Sequence, residues 1–236
     1  MSAGVRSDRR RFRAWGAFAL AAAASASTTL PAATVRGRVT IQGASERRPA
    51  DPSGAVVYLD NLPAGTAPPT AGRFTIETKS KRFTPQVLVV PVGSRVAFPN
   101  SDAILHNVFS ASGGNAFDLG LYGKGDAKEA VLREPGLVRV YCNVHEKMVA
   151  FVVVCPSRYF ARVRDDGSFE IPDAPAGRYD VKVWDERGGM QSSSVEVGAS
   201  DTLDVAFVMD GSRYVRAPHL DKNGKPYSAR ASTEYE

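Results

Sequence analysis

Residues 138–154 read VRVYCNVHEKMVAFVVV, two apolar runs separated by a short polar loop. The first run alternates and the second is continuously apolar and rich in valine, so both are typical of β-strands. In the loop between them, Cys142, His145 and Met148 follow one another at steps of three. The stretch therefore predicts two strands joined by a tight loop that can turn a thiol, an imidazole and a thioether toward one point.

Similar strand patterns recur along the 236 residues, and turns rich in glycine and proline separate them. Examples are residues 35–41, 86–91 and 179–184. No segment outside the N-terminus shows a sustained helical period, and 43% hydrophobic residues are enough for real cores. We predict an all-β chain with strands at the spacing of β-sandwiches.

The formal charge of +5 is concentrated at the N-terminus. Five arginines and one aspartate before residue 27 account for +4, which leaves +1 for the remainder. Because the rest of the chain is nearly neutral, we expect no nucleic-acid partner.

Residues 1–26 have the three parts of an export signal: an arginine-rich start, an apolar run over 14–24, and small residues at 24–26. The run is too short to span a bilayer, so we expect no stable membrane span after cleavage. Arg10-Arg11-Phe12 also resembles a twin-arginine signal, although an ordinary secretory signal is equally consistent. Either signal predicts an exported protein, placed in the bacterial periplasm.

The chain contains two cysteines, and export permits a disulfide between Cys142 and Cys155. The alternative is that Cys142 binds a metal, since a thiolate, two imidazoles and a weak thioether form the ligand set of a mononuclear blue-copper site. The second imidazole must come from elsewhere. His106 begins an apolar strand, whereas His219 lies in the polar segment 211–236, which we expect to be a loose tail with a solvated histidine.

The central part of the chain resembles the cupredoxin family, which includes plastocyanin, pseudoazurin and amicyanin. The resemblance is carried by Phe83-Thr84-Pro85, by Gly93 to Asp102 with its G-x-x-V-x-F-x-N-x-D pattern, by His106-Asn107-Val108, and by Pro135-Gly136 through Met148. It implies a Greek-key β-sandwich over residues 70–155. Many relatives have proline where this chain has Val144, which bears on the stiffness of the loop.

The resemblance also implies the site. One copper ion, cycling between Cu(II) and Cu(I), would lie in the plane of His106, Cys142 and His145, with Met148 as a long axial ligand. The amide of Asn107 would tie the His106 strand to the Cys142 loop. The outer edge of His145 would be exposed and serve as the electron port.

Two distant segments, 34–62 and 157–210, together resemble a transthyretin-like, carboxypeptidase-regulatory-like sandwich. The motifs are Gly54 to Leu59, Asp166-Gly167-Ser168-Phe169-Glu170-Ile171, and Pro175 to Val183. We therefore expect residues 70–155 to be inserted into a discontinuous domain, while a sequential arrangement remains open. The combination also resembles exported proteins labelled as methylamine-utilisation or plastocyanin-like.

These features predict a carrier of single electrons and not an enzyme. Three histidines are too few for a multicopper oxidase or a nitrite reductase within one chain, and zinc prefers carboxylate over thioether. We expect a periplasmic dehydrogenase or cytochrome as partner, docking on an apolar patch near His145 formed by Phe117, Leu119, Leu121 and Tyr122.

Two alternatives stay open. In the first, the protein is a copper-binding or adhesion-type module that stores the metal or uses it structurally, and the transthyretin-like domain binds the partner. In the second, the site is vestigial. Rapid reversible reduction by a quinone or haem partner would separate a carrier from both.

Overall fold

β-Strands make up the framework of this protein, as the alternating patterns predict. The computed structural model describes residues 33–43, 50–216 and 218–227, so the N-terminal signal prediction lies outside the described residues. Within those ranges there are seventeen strands, one 3₁₀ helix and no α-helix. The all-β prediction is confirmed, and no described helix is long and apolar enough to cross a membrane.

The strands follow one another along the chain, and the 3₁₀ helix at Gly113–Asn115 lies between the eighth and ninth. They are β1 (Ala33–Gln42), β2 (Val56–Asp60), β3 (Arg73–Thr75), β4 (Glu77–Lys79), β5 (Arg82–Thr84), β6 (Val87–Pro91), β7 (Arg95–Pro99), β8 (His106–Ser110), β9 (Phe117–Tyr122), β10 (Ala127–Val131), β11 (Gly136–Cys142), β12 (Val149–Cys155), β13 (Phe160–Arg162), β14 (Ser168–Ala174), β15 (Gly177–Asp185), β16 (Gly189–Val197) and β17 (Thr202–Asp210).

Strands from both ends of the described chain form the first sandwich. One sheet has the order β14-β1-β17 and the other β13-β2-β15-β16. Alternate residues of β15, namely Tyr179, Val181 and Val183, point into the shared core, because successive side chains of a strand face opposite ways. A side chain at Gly37 would meet the carbonyl oxygen of Val205 at 1.7 Å, so β1 and β17 can lie side by side only with glycine there.

The strands from β3 to β12 form the second sandwich, which contains the quoted stretch. Its larger sheet has the order β6-β12-β11-β8-β9, its smaller sheet β10-β7-β3, and β4-β5 is a separate hairpin. The strands β11 and β12 pair from Gly136↔Val154 to Tyr141↔Val149, and β11 also pairs with β8 at Cys142↔Val108. This register brings the start of β8 next to the end of β11.

A third apolar cluster joins the two sandwiches. It contains Val56, Tyr58 and Trp184 from the first, and Val87, Val89, Phe151, Val153 and Cys155 from the second. The rings of Phe151 and Trp184 lie 5.2 Å apart between centroids. The strand β12 is therefore covered on both faces, which explains why its sequence is continuously apolar. Cys155 lies in this cluster as a free thiol, and Cys142 is also free, so the disulfide alternative is wrong.

Candidate metal centre

The loop between β11 and β12 is closed by its own backbone. The amide of Met148 donates to the carbonyl of His145 at 3.0 Å, and the amide of Cys142 donates to the carbonyl of Met148 at 3.3 Å. A third bond, from the amide of Asn143 to the carbonyl of Asn107 at 2.8 Å, ties the loop to β8. These bonds hold the loop residues against the first residues of β8.

The structure brings His106, Cys142 and His145 together. The Sγ atom of Cys142 lies 3.6 Å from Nδ1 of His106 and 3.5 Å from Nδ1 of His145. One ligand atom of each residue lies within 4.8 Å of the others, and all three side chains are buried. Met148 is 1% exposed and packs in the same core cluster as Cys142. The arrangement can hold one small, soft metal ion.

Burial keeps the thiol of Cys142 and the imidazole of His106 uncharged in the absence of a cation. It raises the pKa of the Cys142 thiol, although backbone amides of Val144, Asn107 and His145 that donate to the sulfur act the other way. It lowers the pKa of His106, against the opposing effect of Asp102. A bound cation reverses this balance for the thiol, because a coordinating thiol is deprotonated.

Asp102 orients His106, a role that the sequence analysis missed. Its Oδ2 lies 3.1 Å from Nε2 of His106, so Nε2 carries the proton and Nδ1 is left as an acceptor facing Cys142. The same carboxylate accepts the backbone amides of Ser80 at 2.6 Å and Lys81 at 2.9 Å. Burial alone would raise the pKa of Asp102, but these donors and His106 lower it below its usual range. The sequence does contain a signal for this role, because an aspartate stands in a polar turn four residues before the histidine.

The sequence predicted that the side-chain amide of Asn107 would tie the two parts of the site together. The structure shows that its backbone carbonyl does so instead. The carbonyl accepts from Asn143, whereas the side-chain amide donates to Oδ1 of Asp118 at 2.6 Å. The register explains the difference, since Asn107 is paired with Leu121 on the neighbouring strand β9, close to Asp118.

Residues 218–227 fold across the start of the ligand loop, and we call this segment the clasp. The hydroxyl of Tyr227 donates to the carbonyl of Cys142 at 2.7 Å, and the amide of Lys222 donates to the side-chain oxygen of Asn143 at 2.8 Å. The ring of His219 stacks on Tyr141 with centroids 4.1 Å apart. The expectation of a solvated histidine in a loose tail is therefore wrong for these residues.

The apolar run of β9 does not form the expected docking patch. Tyr122 is buried opposite His106, and Phe117 and Leu119 are half-buried against the core, so of the four residues Leu121 alone is exposed. The register of β9 with β8 shifts by one residue near Gly120, whose φ is 65°, and this bulge lets Phe117 and Leu119 as well as Tyr122 pack against the same core. His145 is 9% exposed, which also differs from the exposed edge that the family resemblance implied.

A cleft of about 630 Å³ lies beside the later part of the ligand loop. Four cationic side chains line it together with one carboxylate, and we call it the basic cleft. Its lining is Lys81, Arg82, Phe83, Gln86, His145, Glu146, Lys147, Met148, Val149 and Arg216. Two of the candidate ligands thus face a positively charged opening.

No family model and no curated protein matches the sequence. Similar solved structures include a purple cupredoxin from Nitrosopumilus maritimus, with 28% identity over 34% of this chain and 97% of that one and a TM-score of 0.30. A reduced mutant of amicyanin is 24% identical over 42% of this chain and 97% of that one, with a TM-score of 0.33. A Cu-containing nitrite reductase from Thermus scotoductus SA-01 is 25% identical over 35% of this chain and 22% of that one, with a TM-score of 0.33. Each of these likenesses is confined to 34–42% of this chain.

Proposed function

We propose that this protein binds one copper ion at His106, Cys142, His145 and Met148 and carries single electrons between redox partners. The observation that carries the proposal is the buried group of two imidazoles and one thiol, with a thioether in the same core cluster. Sulfur donors suit Cu(I) and imidazole suits Cu(II), so this mixed set serves both states. Hard cations prefer oxygen ligands, and the four candidate ligands offer only nitrogen and sulfur.

The spacing of the donor atoms fits a bound metal. Metal–sulfur and metal–nitrogen bonds of about 2.3 and 2.0 Å, at tetrahedral or trigonal angles, separate the two donors by roughly 3.5–3.7 Å. The distances from Sγ of Cys142 to the two imidazole nitrogens are 3.6 and 3.5 Å. The side chains need little movement to bind.

Copper, when bound, supplies a one-electron Cu(II)/Cu(I) couple. The residues of this chain hold the donors in one arrangement: Asp102 fixes His106, the backbone of Asn107 fixes the loop, and burial excludes water from Cys142. Because these surrounding residues hold the donors in place, the donors would move little when a bound copper ion changes between Cu(II) and Cu(I).

The visible spectrum of the copper-loaded protein tests the proposal. We expect an intense sulfur-to-copper band that bleaches on reduction and is absent from Cys142→Ser. Cys155→Ser is the matched control, because it removes the other buried thiol, which lies in the cluster between the sandwiches, and should keep the band. A colourless wild type without stoichiometric copper would refute the proposal.

We extend the proposal to domains and location. The pairing of β1 and β2 with β13, β14, β15 and β17 supports one discontinuous, transthyretin-like domain over residues 34–62 and 157–210, with residues 70–155 inserted as the cupredoxin domain. The signal-like residues 1–26 support export to the periplasm, with the twin-arginine route as one option. The partner is a dehydrogenase or cytochrome of the same compartment.

A further inference from the structure

The basic cleft joins positive charge to the candidate copper site. Lys81 and Arg82 come from the β4–β5 hairpin, Lys147 from the ligand loop, and Arg216 from the segment after β17. Arg216 is paired with Glu186 by two bonds of 2.7 Å, and Glu146 is the one carboxylate in the lining. The lining therefore has an excess of positive charge beside His145.

The cationic hairpin is held in place by the same carboxylate that orients His106. Ser80 and Lys81 have φ angles of 54° and 55°, a left-handed conformation that non-glycine residues adopt rarely. Asp102 stabilises this turn by accepting both backbone amides, and it also accepts from His106. The position of Lys81 and Arg82 is thus coupled to the position of a proposed ligand.

The distribution of these charges indicates a large partner. Lys81, Arg82 and Lys147 are exposed and come from two separate segments, whereas a small bound ligand is held in an enclosed pocket by a few precisely placed polar groups. Spread cations around an opening complement a surface that carries several carboxylates. Because His145 is only 9% exposed, a partner can approach this residue only through the basic cleft, which His145 helps to line.

We propose that the basic cleft is the docking site for an acidic redox protein, an inference that rests on the proposed electron-carrier function. Carboxylates of the partner pair with Arg82 and Lys147, and its redox group comes to rest over His145. With a ferric haem partner, one electron leaves Cu(I), which becomes Cu(II), and the haem iron becomes ferrous. No proton is transferred and no covalent bond changes.

Stopped-flow oxidation of the Cu(I) protein tests this docking. The probes are an acidic c-type cytochrome and a basic one of similar potential. In the variant Arg82→Glu/Lys147→Glu, we expect the rate with the acidic cytochrome to fall at least tenfold at low ionic strength, and the loss to shrink at high salt. The matched control Arg164→Glu/Arg178→Glu makes the same change of net charge in the other sandwich, and should change the rate less than about twofold.

Three results would overturn the docking. The first is an equal loss of rate in both double variants, and the second is a faster reaction of the wild type with the basic cytochrome. The third uses the small anion hexacyanoferrate(III) as another oxidant: it is a loss of rate with this oxidant alone and not with the acidic cytochrome. The absorption band and midpoint potential of each variant must stay at wild-type values, and Arg82→Gln/Lys147→Gln serves if the reversal disturbs folding. Calorimetric titration of the metal-free protein with the acidic cytochrome reports docking even if the copper proposal fails, so the two failures can be told apart.

Discussion

The two ends of the ligand loop have different surroundings. At residues 141–143 the clasp of the same chain covers the loop, through Tyr227 on the carbonyl of Cys142 and His219 on Tyr141. At residues 145–149 the loop lines the basic cleft. The contacts at the first end are hydrogen bonds and a ring stack, and the second end carries exposed charge. The first end is therefore held by contacts within the chain, whereas the second end faces an opening.

Among the changes that test this comparison, removal of the clasp should have the largest effect. Ending the chain after Arg216 removes the Tyr227 and Lys222 hydrogen bonds and the His219 stack, each worth about 0.5–1.5 kcal/mol. We expect the free energy of unfolding of the copper-free protein to fall by about 2–4 kcal/mol, measured by urea titration. Tyr227→Phe alone should lose about 1 kcal/mol.

The matched control for this truncation ends after Tyr227 and keeps the clasp. It should retain the wild-type unfolding free energy. If both truncations are equally stable, the clasp contributes nothing, and the distinction between a covered end and an open end disappears.

Removal of the Asp102 carboxylate tests the open end. Asp102→Ala frees the Ser80–Lys81 turn and takes away the acceptor that fixes the His106 tautomer. We expect copper affinity to fall about 10- to 100-fold, measured by competition with a chelator, as is usual when a partner of a ligating histidine is lost. Asp126→Ala is the control, because Asp126 is an exposed acid in a nearby turn. Equal affinities in the two variants would contradict the role of Asp102.

The comparison also shows which features could be predicted from sequence. Cys142, His145 and Met148 lie within seven residues, and the strands on either side are marked by their apolar pattern, so a local reading was sufficient. His106 needed only the family motif and its position at the start of a strand. The buried β12 was visible as a run of valines.

The clasp and the basic cleft could not be predicted in the same way. Tyr227 and Cys142 are 85 residues apart, and residues 218–227 are polar without any periodicity that would indicate packing. The cationic residues of the cleft come from three segments that only the tertiary fold brings together. The burial of Tyr122 follows from its register with His106, which the apolar run alone did not specify.

The smallest expected effect concerns the ion pair that links the clasp to β9. Nζ of Lys222 lies 2.6 Å from Oδ2 of Asp118. Burial alone would raise the pKa of Asp118, but hydrogen bonds from Lys222, Asn107 and the amide of Gly120 lower it below its ordinary value of 3.8. The folded state therefore holds this carboxylate ionised, and its contribution is present above the ordinary pKa and is lost as pH falls through the lowered one.

Asp118→Asn should accordingly destabilise the protein near neutral pH by no more than about 1 kcal/mol, since both side chains are partly exposed. The difference from wild type should persist down to about pH 5 and shrink as the pH falls below the ordinary pKa of 3.8 and through the lowered one, in urea titrations of the copper-free protein. In the chain that ends after Arg216, Lys222 is gone, so the same substitution should have a smaller effect. An equal effect in both chains would mean that Asp118 acts through Asn107 and not through the clasp.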